Sequence, residues 1–214
     1  IRGVGRDATE RKHADERLQQ SFRKLERAME STIRAITLTV ETRDRYTAGH
    51  QRRVTELACA IGREMGLSGD QIDGIRVAGL LHDIGKVYVP TEILSKPGQL
   101  NDVEFAMIKT HPQVGYDILK TIEFPWPVAK IVLQHHERLD GSGYRSGLQG
   151  EEILMEARIL SVADVVEAMS SHRPYRMALG LDEALAEVSQ NRGILYDAKV
   201  VDACSALFSD KGFV

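Results

Sequence analysis

Apolar residues recur at helical spacing along most of the chain, and turn-forming residues divide this pattern into segments. The spacing predicts helices over residues 47–65, 68–81, 152–170, 181–190 and 197–208. Ser68 followed by Gln71 is the pattern of a capping box at a helix start. A further helix is expected to begin at Asn101 and to end near His111, because Pro112 disfavours helical backbone at the residue before it.

Proline and glycine mark the connections between these segments. Pro90, Pro97 and Gly98 predict a long loop. Pro125 and Pro127 are expected to open a helix that runs to about residue 137. Residues 139–150 contain four glycines and are expected to form another loop. No alternating strand pattern of useful length follows residue 12, so the sequence predicts an all-α fold, a helical bundle.

The first twelve residues do not begin like a domain. Residues 1–5 are expected to be the tail of a strand, and Asp7 or Thr9 is a favourable N-cap for a helix that follows. Residues 7–12, Asp-Ala-Thr-Glu-Arg-Lys, resemble the turn that leads from the last strand of a PAS sensor domain into a signalling helix. Residues 1–12 are therefore interpreted as the tail of an upstream PAS-type sensor.

The segment 13–36 contains an apolar seam with alternating spacings of four and three, which Thr32 completes. Its apolar members are Leu18, Phe22, Leu25, Met29 and Ile36. One interpretation is a parallel coiled coil that transmits a signal within a homodimer. The other is an amphipathic helix packed on its own domain, because an isolated seam this short is only marginally stable.

Composition narrows the classes of protein. The chain has 214 residues, of which 43% are hydrophobic, and its net charge is −3, without the basic excess of a protein that wraps nucleic acid. It contains no apolar run that could span a membrane and no secretory signal. Cys59 and Cys204 match no zinc or redox spacing and are expected to be buried apolar residues, so a cytoplasmic location is expected. Because the chain begins with Ile1, we expect a fragment, and a membrane span elsewhere in the full protein stays open.

Five of the seven histidines lie in motifs, and carboxylates accompany them. The five are His50, His82, His111, His135 and His136. The block Leu80–Lys86 places a His-Asp pair at the end of an apolar helix, and Asp164 lies within the apolar run 159–166. A buried ionised carboxylate is costly unless a cation compensates it, which a divalent metal can do. Each signal is weak alone, but five imidazoles and two carboxylates approach the ligand count of a two-metal site.

Residues 30–210 resemble the HD-GYP subgroup of the HD phosphohydrolase superfamily. The matching stretches are Glu41–His50 with Arg53 and Val54, Leu80–Lys86, His111–Pro112 with Gly115 and Tyr116, His135–Tyr144, and Ser161–Asp164 continuing to Ser171–Arg176. The resemblance implies an HD-type bundle over 37–214 that hydrolyses the bacterial second messenger cyclic di-GMP to pGpG or GMP. It also implies two divalent metal ions, with iron or manganese favoured over zinc, and a diguanylate cyclase as a docking partner.

The resemblance also implies roles for individual residues. The implied metal ligands are His50, His82, Asp83, His111, His135, His136 and Asp164, with Asp83 bridging the two ions. Asp83 and Lys86 are the implied catalytic residues, since Lys86 could neutralise charge that builds on the phosphate. The implied substrate contacts are Lys86, Tyr144, Arg173 and Arg176. The alternative for the two arginines is surface charge beside Pro174.

Two positions depart from the family pattern. The motif that ends in Gly-Tyr-Pro in the family reads Gly143-Tyr144-Arg145 here, so a residue with a fixed φ is missing from a loop expected to line the substrate pocket. Arg145 either points into solvent, which we favour, or adds a phosphate contact. Tyr46 stands where some members have a carboxylate that helps to hold a third metal, and Glu41 lies too far back to replace it. Two metals rather than three are therefore predicted.

Other functions stay open on the sequence alone. The HD core would also suit hydrolysis of a mononucleotide or of another cyclic dinucleotide. A catalytically weak domain that binds a ligand or a partner protein is the non-enzymatic alternative, which Arg145 allows and the complete ligand set disfavours. The Gly-Tyr loop and the segment Ser171–Arg176 favour the cyclic dinucleotide.

Overall fold

The computed structural model describes residues 4–43, 49–171, 180–210 and 213. The α-helices are α1 Val4–Glu41, α2 His50–Glu64, α3 Gly69–Leu81, α4 Thr91–Leu94, α5 Asp102–Ile108, α6 His111–Leu119, α7 Val128–Gln134, α8 Met155–Ser170, α9 Leu181–Gln190 and α10 Ala198–Asp210. Two 3₁₀ helices span Ile84–Tyr88 and Gly150–Glu152. None of the described residues forms a strand, so the prediction of an all-α fold is confirmed.

The chain divides into two compact units, residues 1–36 and 37–214. In the first unit, α1 already begins at Val4. The expected strand is therefore wrong at Val4 and Gly5, and the helix starts earlier than an N-cap at Asp7 or Thr9 would allow. The run that follows is rich in Ala, Glu, Arg and Lys, which are good helix formers. The assignment of residues 1–12 to a PAS-type sensor stays a prediction.

The apolar seam of α1 is exposed in the single chain. Leu18, Phe22 and Leu25 have exposed fractions of 57%, 59% and 68%. Met29 and Ile36 are also exposed. The coiled-coil partner that would cover this seam stays a prediction. No helix in the described part of the chain combines the length and the apolar character needed to cross a bilayer.

The second unit is built around α8, whose run of apolar residues is buried from Ile159 to Ala163. α2 packs against α3 and α8, and α9 and α10 pack on α8. The central side chains include Ile61, Ile75, Ile131, Ile159 and Leu160, all of them fully buried. Cys59 and Cys204 are buried free cysteines, as expected from their spacing.

Local signals placed several helix starts correctly. Ser68 accepts a bond from the Gln71 amide in the predicted capping box, and Asn101 caps α5 in the same way. The helix predicted to run from Asn101 to His111 is wrong at its end, because α5 stops at Ile108 and His111 begins α6. Pro112 lies in the first turn of α6, where its missing N–H has no intrahelical partner to lose.

Two other helices are shorter than predicted at the ends that bear on the site. α7 ends at Gln134, because the Glu137 amide donates to the Gln134 carbonyl in a tighter turn. α8 starts at Met155, after a 3₁₀ turn in which the Gln149 amide donates to the Glu152 carboxylate. α2 begins at His50, and the first predicted residues of that helix lie outside the described part of the chain.

Candidate metal centre

Seven side chains from five segments meet beside α8. His50 is the first residue of α2, His82 follows α3, and His111 is the first residue of α6. His135 and His136 follow α7, Asp83 precedes the 3₁₀ helix Ile84–Tyr88, and Asp164 lies within α8. Most of the ligands predicted from sequence therefore stand at helix ends, where a side chain can turn away from the helix and towards a common point.

Three of the imidazoles are oriented by backbone carbonyls three residues earlier. The Nδ1 atoms of His82, His111 and His135 donate to the carbonyls of Gly79, Ile108 and Val132, at 2.7, 2.8 and 2.6 Å. Each carbonyl belongs to the last turn of a helix and has no intrahelical partner. A proton on Nδ1 leaves a lone pair on Nε2. The three rings thus present Nε2 lone pairs to the interior of the site.

The donor atoms form two neighbouring clusters. One consists of His50, His82 and Asp164, and the other consists of His111, His135 and His136, with the donor atoms of each cluster within 4.8 Å of one another. A third group with the same spacing, His82, Asp83 and His135, joins the two clusters. In the first cluster, the Asp164 Oδ1 atom lies 3.2 Å from His50 Nε2 and 4.0 Å from His82 Nε2. Each cluster has the residue types and the spacing of a metal site.

Asp83 stands between the two clusters. Its Oδ2 atom is 3.5 Å from His82 Nε2, and its Oδ1 atom is 3.4 Å from His111 Nε2. The side chain is almost completely buried. The two oxygens of one carboxylate therefore face different clusters, which is the arrangement required for a bridging ligand.

Some of the buried imidazole nitrogens lack the hydrogen-bond partners that a protein interior normally provides, and a cation would satisfy them. The buried Nε2 atom of His82 has no hydrogen-bond partner. The Nε2 atoms of His111 and His135 lie 3.3 Å apart, although both rings carry their proton on Nδ1. Two lone pairs then face each other, which is unfavourable unless a positive ion lies near both. The donor set, imidazole and carboxylate without sulfur, suits divalent transition metals.

The protonation states of His111, His135, His136 and Asp83 also suit metal binding. Burial lowers the pKa of His111 to about 4 and that of His135 to about 3, so both rings are neutral near pH 7. Burial lowers the pKa of His136 well below its usual value as well. Burial would raise the pKa of Asp83, but Lys86 and the nearby imidazoles outweigh it and hold this pKa well below its usual value.

Glu167, one helical turn after Asp164, orients His50 and was not recognised from the sequence. Its Oε2 atom is in close contact with His50 Nδ1, and its Oε1 atom accepts bonds of 2.6 Å from Arg53 Nε and from Ser171 Oγ. Burial would lower the pKa of His50, but Asp164 and Glu167 raise it to about 9. A carboxylate on the far nitrogen of a ligating histidine fixes the ring and its tautomer. The spacing Asp164-x-x-Glu167 was the only sequence signal, since it places both carboxylates on one face of α8.

Lys86 lies beside Asp83. Its Nζ atom donates to Asp83 Oδ2 at 2.8 Å, and the side chain is largely buried. α3 ends at Leu81, and Lys86 belongs to the 3₁₀ helix. The tighter turn brings the ammonium back onto the Asp83 carboxylate.

Tyr144 forms one wall of the site. Its ring stacks on His136, with 4.6 Å between the centroids and 28° between the planes. The preceding glycine brings the loop close, because a Cβ on Gly143 would lie 2.5 Å from the Glu137 Cα atom. Glu137 also holds the loop, since its Oε1 atom accepts a 2.7 Å bond from the Ser146 amide.

Arg145 is exposed, in agreement with the favoured interpretation that it points into solvent. Its φ of 121° lies in the region that favours glycine. A proline, with φ near −65°, cannot adopt this backbone. The loop that follows Tyr144 therefore has a conformation that the proline of the family motif would not permit.

Residues 22–200 match the sequence model of the family described as HD domain. This chain belongs to the HD-domain family. HD domains bind divalent metals, and the imidazole and carboxylate clusters of this chain could hold such an ion.

Curated relatives of this HD domain carry phosphodiesterase names. The "cyclic di-GMP phosphodiesterase response regulator RpfG" of Xanthomonas campestris pv. campestris is 40% identical over 191 residues, which are 88% of this chain and 50% of that protein. The "cyclic di-GMP phosphodiesterase" of Thermotoga maritima is 40% identical over 187 residues, 86% of this chain and 51% of the relative. The chain therefore spans about half the length of these relatives.

Solved structures agree with the fold. The cyclic GMP-AMP specific phosphodiesterase V-cGAP3 of Vibrio cholerae has a TM-score of 0.56 and 30% identity, covering 86% of this chain and 42% of that one. An HDG"Y"P protein from Bdellovibrio bacteriovorus has a TM-score of 0.61 over 74% of this chain and 51% of its own. At 18% identity, the second comparison shows the fold alone.

Some predicted residues of the HD domain cannot be placed. Arg173 and Arg176, the implied substrate contacts, and Tyr46, on which the number of metals rests, lie outside the described residues. Glu41, which was judged too distant to replace a ligand, accepts a 3.1 Å bond from the Gly49 amide. It thereby holds Gly49, the residue directly before His50, against the end of α1.

Proposed function

We propose that this HD domain is a metal-dependent phosphodiesterase of the HD-GYP subgroup that hydrolyses cyclic di-GMP in bacterial signal transduction. The observation that carries the proposal is Asp83, whose two oxygens face histidines of two adjoining clusters, His82 and His111. The phosphodiesterase names of relatives at 40% identity support the same reaction class.

The metal ions would be held by the seven clustered side chains. His50, His82 and Asp164 would hold one ion, His111, His135 and His136 the other, and Asp83 would touch both. The absence of sulfur favours iron or manganese, and zinc also suits these donors. Two ions are proposed rather than three, because Tyr46 stands where some family members have a carboxylate that helps to hold a third.

The chemistry requires activation of water and neutralisation of phosphate charge. Bound divalent ions supply both, by acidifying water and by acting as Lewis acids towards phosphate oxygens. Lys86 is placed to add a positive charge beside the reacting phosphate, where it is most useful as negative charge builds in the transition state. Water adds to phosphorus and the bond to the 3′ oxygen breaks, so that the cyclic substrate opens to pGpG, and a second hydrolysis gives GMP.

Substrate recognition would use the wall formed by Tyr144. The Tyr144 ring, held against His136, would contact a ribose or a guanine. Arg173 and Arg176 would contact phosphate or guanine, because the guanidinium fork matches both groups. Burial raises the pKa of Tyr144, so its hydroxyl stays protonated and can donate a hydrogen bond.

A second candidate substrate is 3′3′-cGAMP. A relative from Vibrio cholerae named "3'3'-cGAMP-specific phosphodiesterase 3" is 38% identical over 163 residues, 76% of this chain and 35% of that protein. The two cyclic dinucleotides differ in one base and share the phosphodiester chemistry. The clustered ligands serve both, and the base contacts would decide between them.

The surrounding protein would couple this activity to a signal. The seam of α1 would form a coiled coil in a homodimer, downstream of a PAS-type sensor. A diguanylate cyclase as docking partner stays a prediction from the family resemblance.

The proposed function is tested by metal counting and by assay of the same anaerobically purified sample. About two iron or manganese ions per chain and hydrolysis of cyclic di-GMP faster than of 3′3′-cGAMP are expected. Asp83→Asn should lose both metal and activity. Asp202→Asn, which disrupts only the surface pair with Arg192, is the matched control and should keep both. Full metal content and activity in Asp83→Asn would refute the proposal.

A further inference from the structure

The side chain of Lys109 lies against the wall of the site on the side away from His136. Its Nζ atom is 5.3 Å from the centroid of the Tyr144 ring and 4.5 Å from that of Phe105. Because Tyr144 stacks on His136, a single aromatic ring separates this ammonium from the second metal cluster.

Unlike Lys86, Lys96 and Lys120, Lys109 has no carboxylate in the described part of the chain to neutralise its charge. Lys86 pairs with Asp83, Lys96 with Glu104, and Lys120 with Asp117. Within the described part of the chain, Lys109 has only the two aromatic rings as charge-stabilising neighbours. Attraction to a ring face offsets part of the cost of a half-buried ammonium and leaves its charge available to an anion.

A cyclic dinucleotide brings two phosphates to such a site. Lys86 stands beside Asp83 and serves the phosphate that reacts at the metals. The second phosphate lies across the macrocycle, and it carries a full negative charge that the metal ligands do not reach. A substrate that contacts Tyr144 would bring this second phosphate towards the Lys109 ammonium, 5.3 Å from the centroid of that ring.

We propose that Lys109 binds the non-reacting phosphate of the cyclic dinucleotide, held over the faces of Tyr144 and Phe105. This assignment rests on the proposed function and deepens it. Lys109 distinguishes substrates with two phosphates from simple phosphodiesters, and its contribution belongs to substrate affinity, since the non-reacting phosphate keeps the same charge throughout the reaction.

The test compares two substrates in three variants. Lys109→Met removes the charge and keeps an unbranched side chain, whereas Lys109→Arg restores a cation. Lys120→Met is the matched control, because Lys120 also lies over a tyrosine ring, 5.4 Å from the centroid of Tyr116, but is paired with Asp117. The substrates are cyclic di-GMP and bis(p-nitrophenyl) phosphate, which has one phosphodiester and no second phosphate.

Lys109→Met is expected to raise KM for cyclic di-GMP about 10-fold or more, the loss typical of a hydrogen bond to a charged group, with little change in kcat. Hydrolysis of bis(p-nitrophenyl) phosphate and the metal content should be unchanged. Lys109→Arg should recover most of the affinity, and Lys120→Met should match the unmodified protein with both substrates.

Two outcomes would overturn the assignment while leaving the proposed function intact. One is an unchanged KM in Lys109→Met, and the other is an equal loss with both substrates together with lower metal content, which would mean that Lys109 only supports His111. An unmodified protein that hydrolyses no cyclic dinucleotide would overturn the proposed function and the Lys109 assignment together.

Discussion

Replacing Glu167 by glutamine is expected to weaken metal binding 10- to 100-fold while the protein stays folded. The carboxylate is buried, and its two oxygens serve three neighbours, His50, Arg53 and Ser171. Glutamine has nearly the same shape, so the change removes one acceptor and adds two N–H donors without opening a cavity. The effect therefore reports the hydrogen bonds and not the packing.

The expected loss of metal affinity follows from the two orientations that the new side-chain amide can adopt. If its oxygen stays with Arg53 and Ser171, its NH₂ group faces His50 Nδ1, which must then accept and carry its proton on Nε2. That proton occupies the nitrogen that faces Asp164 and the metal cluster. If the amide turns round, its NH₂ group meets the Arg53 donor instead. Either arrangement loses one charged hydrogen bond, about 1.5–3 kcal/mol, and loss of such outer partners usually reduces metal affinity 10- to 100-fold.

The assay is a competition titration of metal-free protein with manganese and a chelator of known affinity, followed by thermal unfolding. Asp197→Asn is the matched control, because Asp197 is a largely buried acid that accepts a 3.0 Å bond from Arg158, outside the ligand clusters. The control should lower the melting temperature and leave the metal affinity unchanged. Equal metal affinity in Glu167→Gln and in the unmodified protein would refute the view that Glu167 sets the tautomer of His50.

Three other predictions concern the frame of the site. Gly85→Ala should destabilise the protein by about 3 kcal/mol or more, because the new Cβ would lie 1.9 Å from the His111 carbonyl oxygen. The free energy of unfolding is measured by chemical denaturation. Gly69→Ala is the control and should be tolerated, because its new Cβ would meet no atom within 4 Å. Arg145→Gly should raise the free energy of unfolding by about 1 kcal/mol, because glycine adopts the positive φ at this position without strain. Arg145→Pro should lower the free energy of unfolding. A proline variant that is more stable would contradict the loop conformation. Removal of metal with a chelator should lower the melting temperature and added manganese should restore it, since metal binds the folded clusters only; an unchanged melting temperature would count against them.

Local sequence rules located what depends on neighbours along the chain and failed where distant packing decides. The capping boxes at Ser68 and Asn101 were predictable, because each is complete within four residues. At Pro112 two local rules conflict. Proline disfavours helical backbone at the residue before it, but it also favours the first turn of a new helix. The chain starts a new helix here, α6, which packs on α7. No local rule addresses that choice.

The site shows the same division. The histidines and carboxylates were recognisable because their residue types and motifs are unusual in an apolar setting. Glu167 was not, because its partner His50 lies 117 residues away and a glutamate in a helix is ordinary. Lys109 was missed for a similar reason, since the ring of Tyr144 reaches it only through the fold of the glycine-rich loop.

The helix-end histidines have an electrostatic consequence that does not depend on any side chain. α3, α5 and α7 each end beside the clusters, with a last-turn carbonyl bonded to the ring of His82, His111 or His135. The aligned peptide dipoles of a helix leave a partial negative charge at its carboxyl end. Three such ends outnumber the two helix amino ends at the clusters, those of α2 at His50 and of α6 at His111, so the backbone adds a weak potential that favours cations. A variant without Asp83 and Asp164 should therefore still attract divalent ions weakly, and that residual attraction should fade as salt is added.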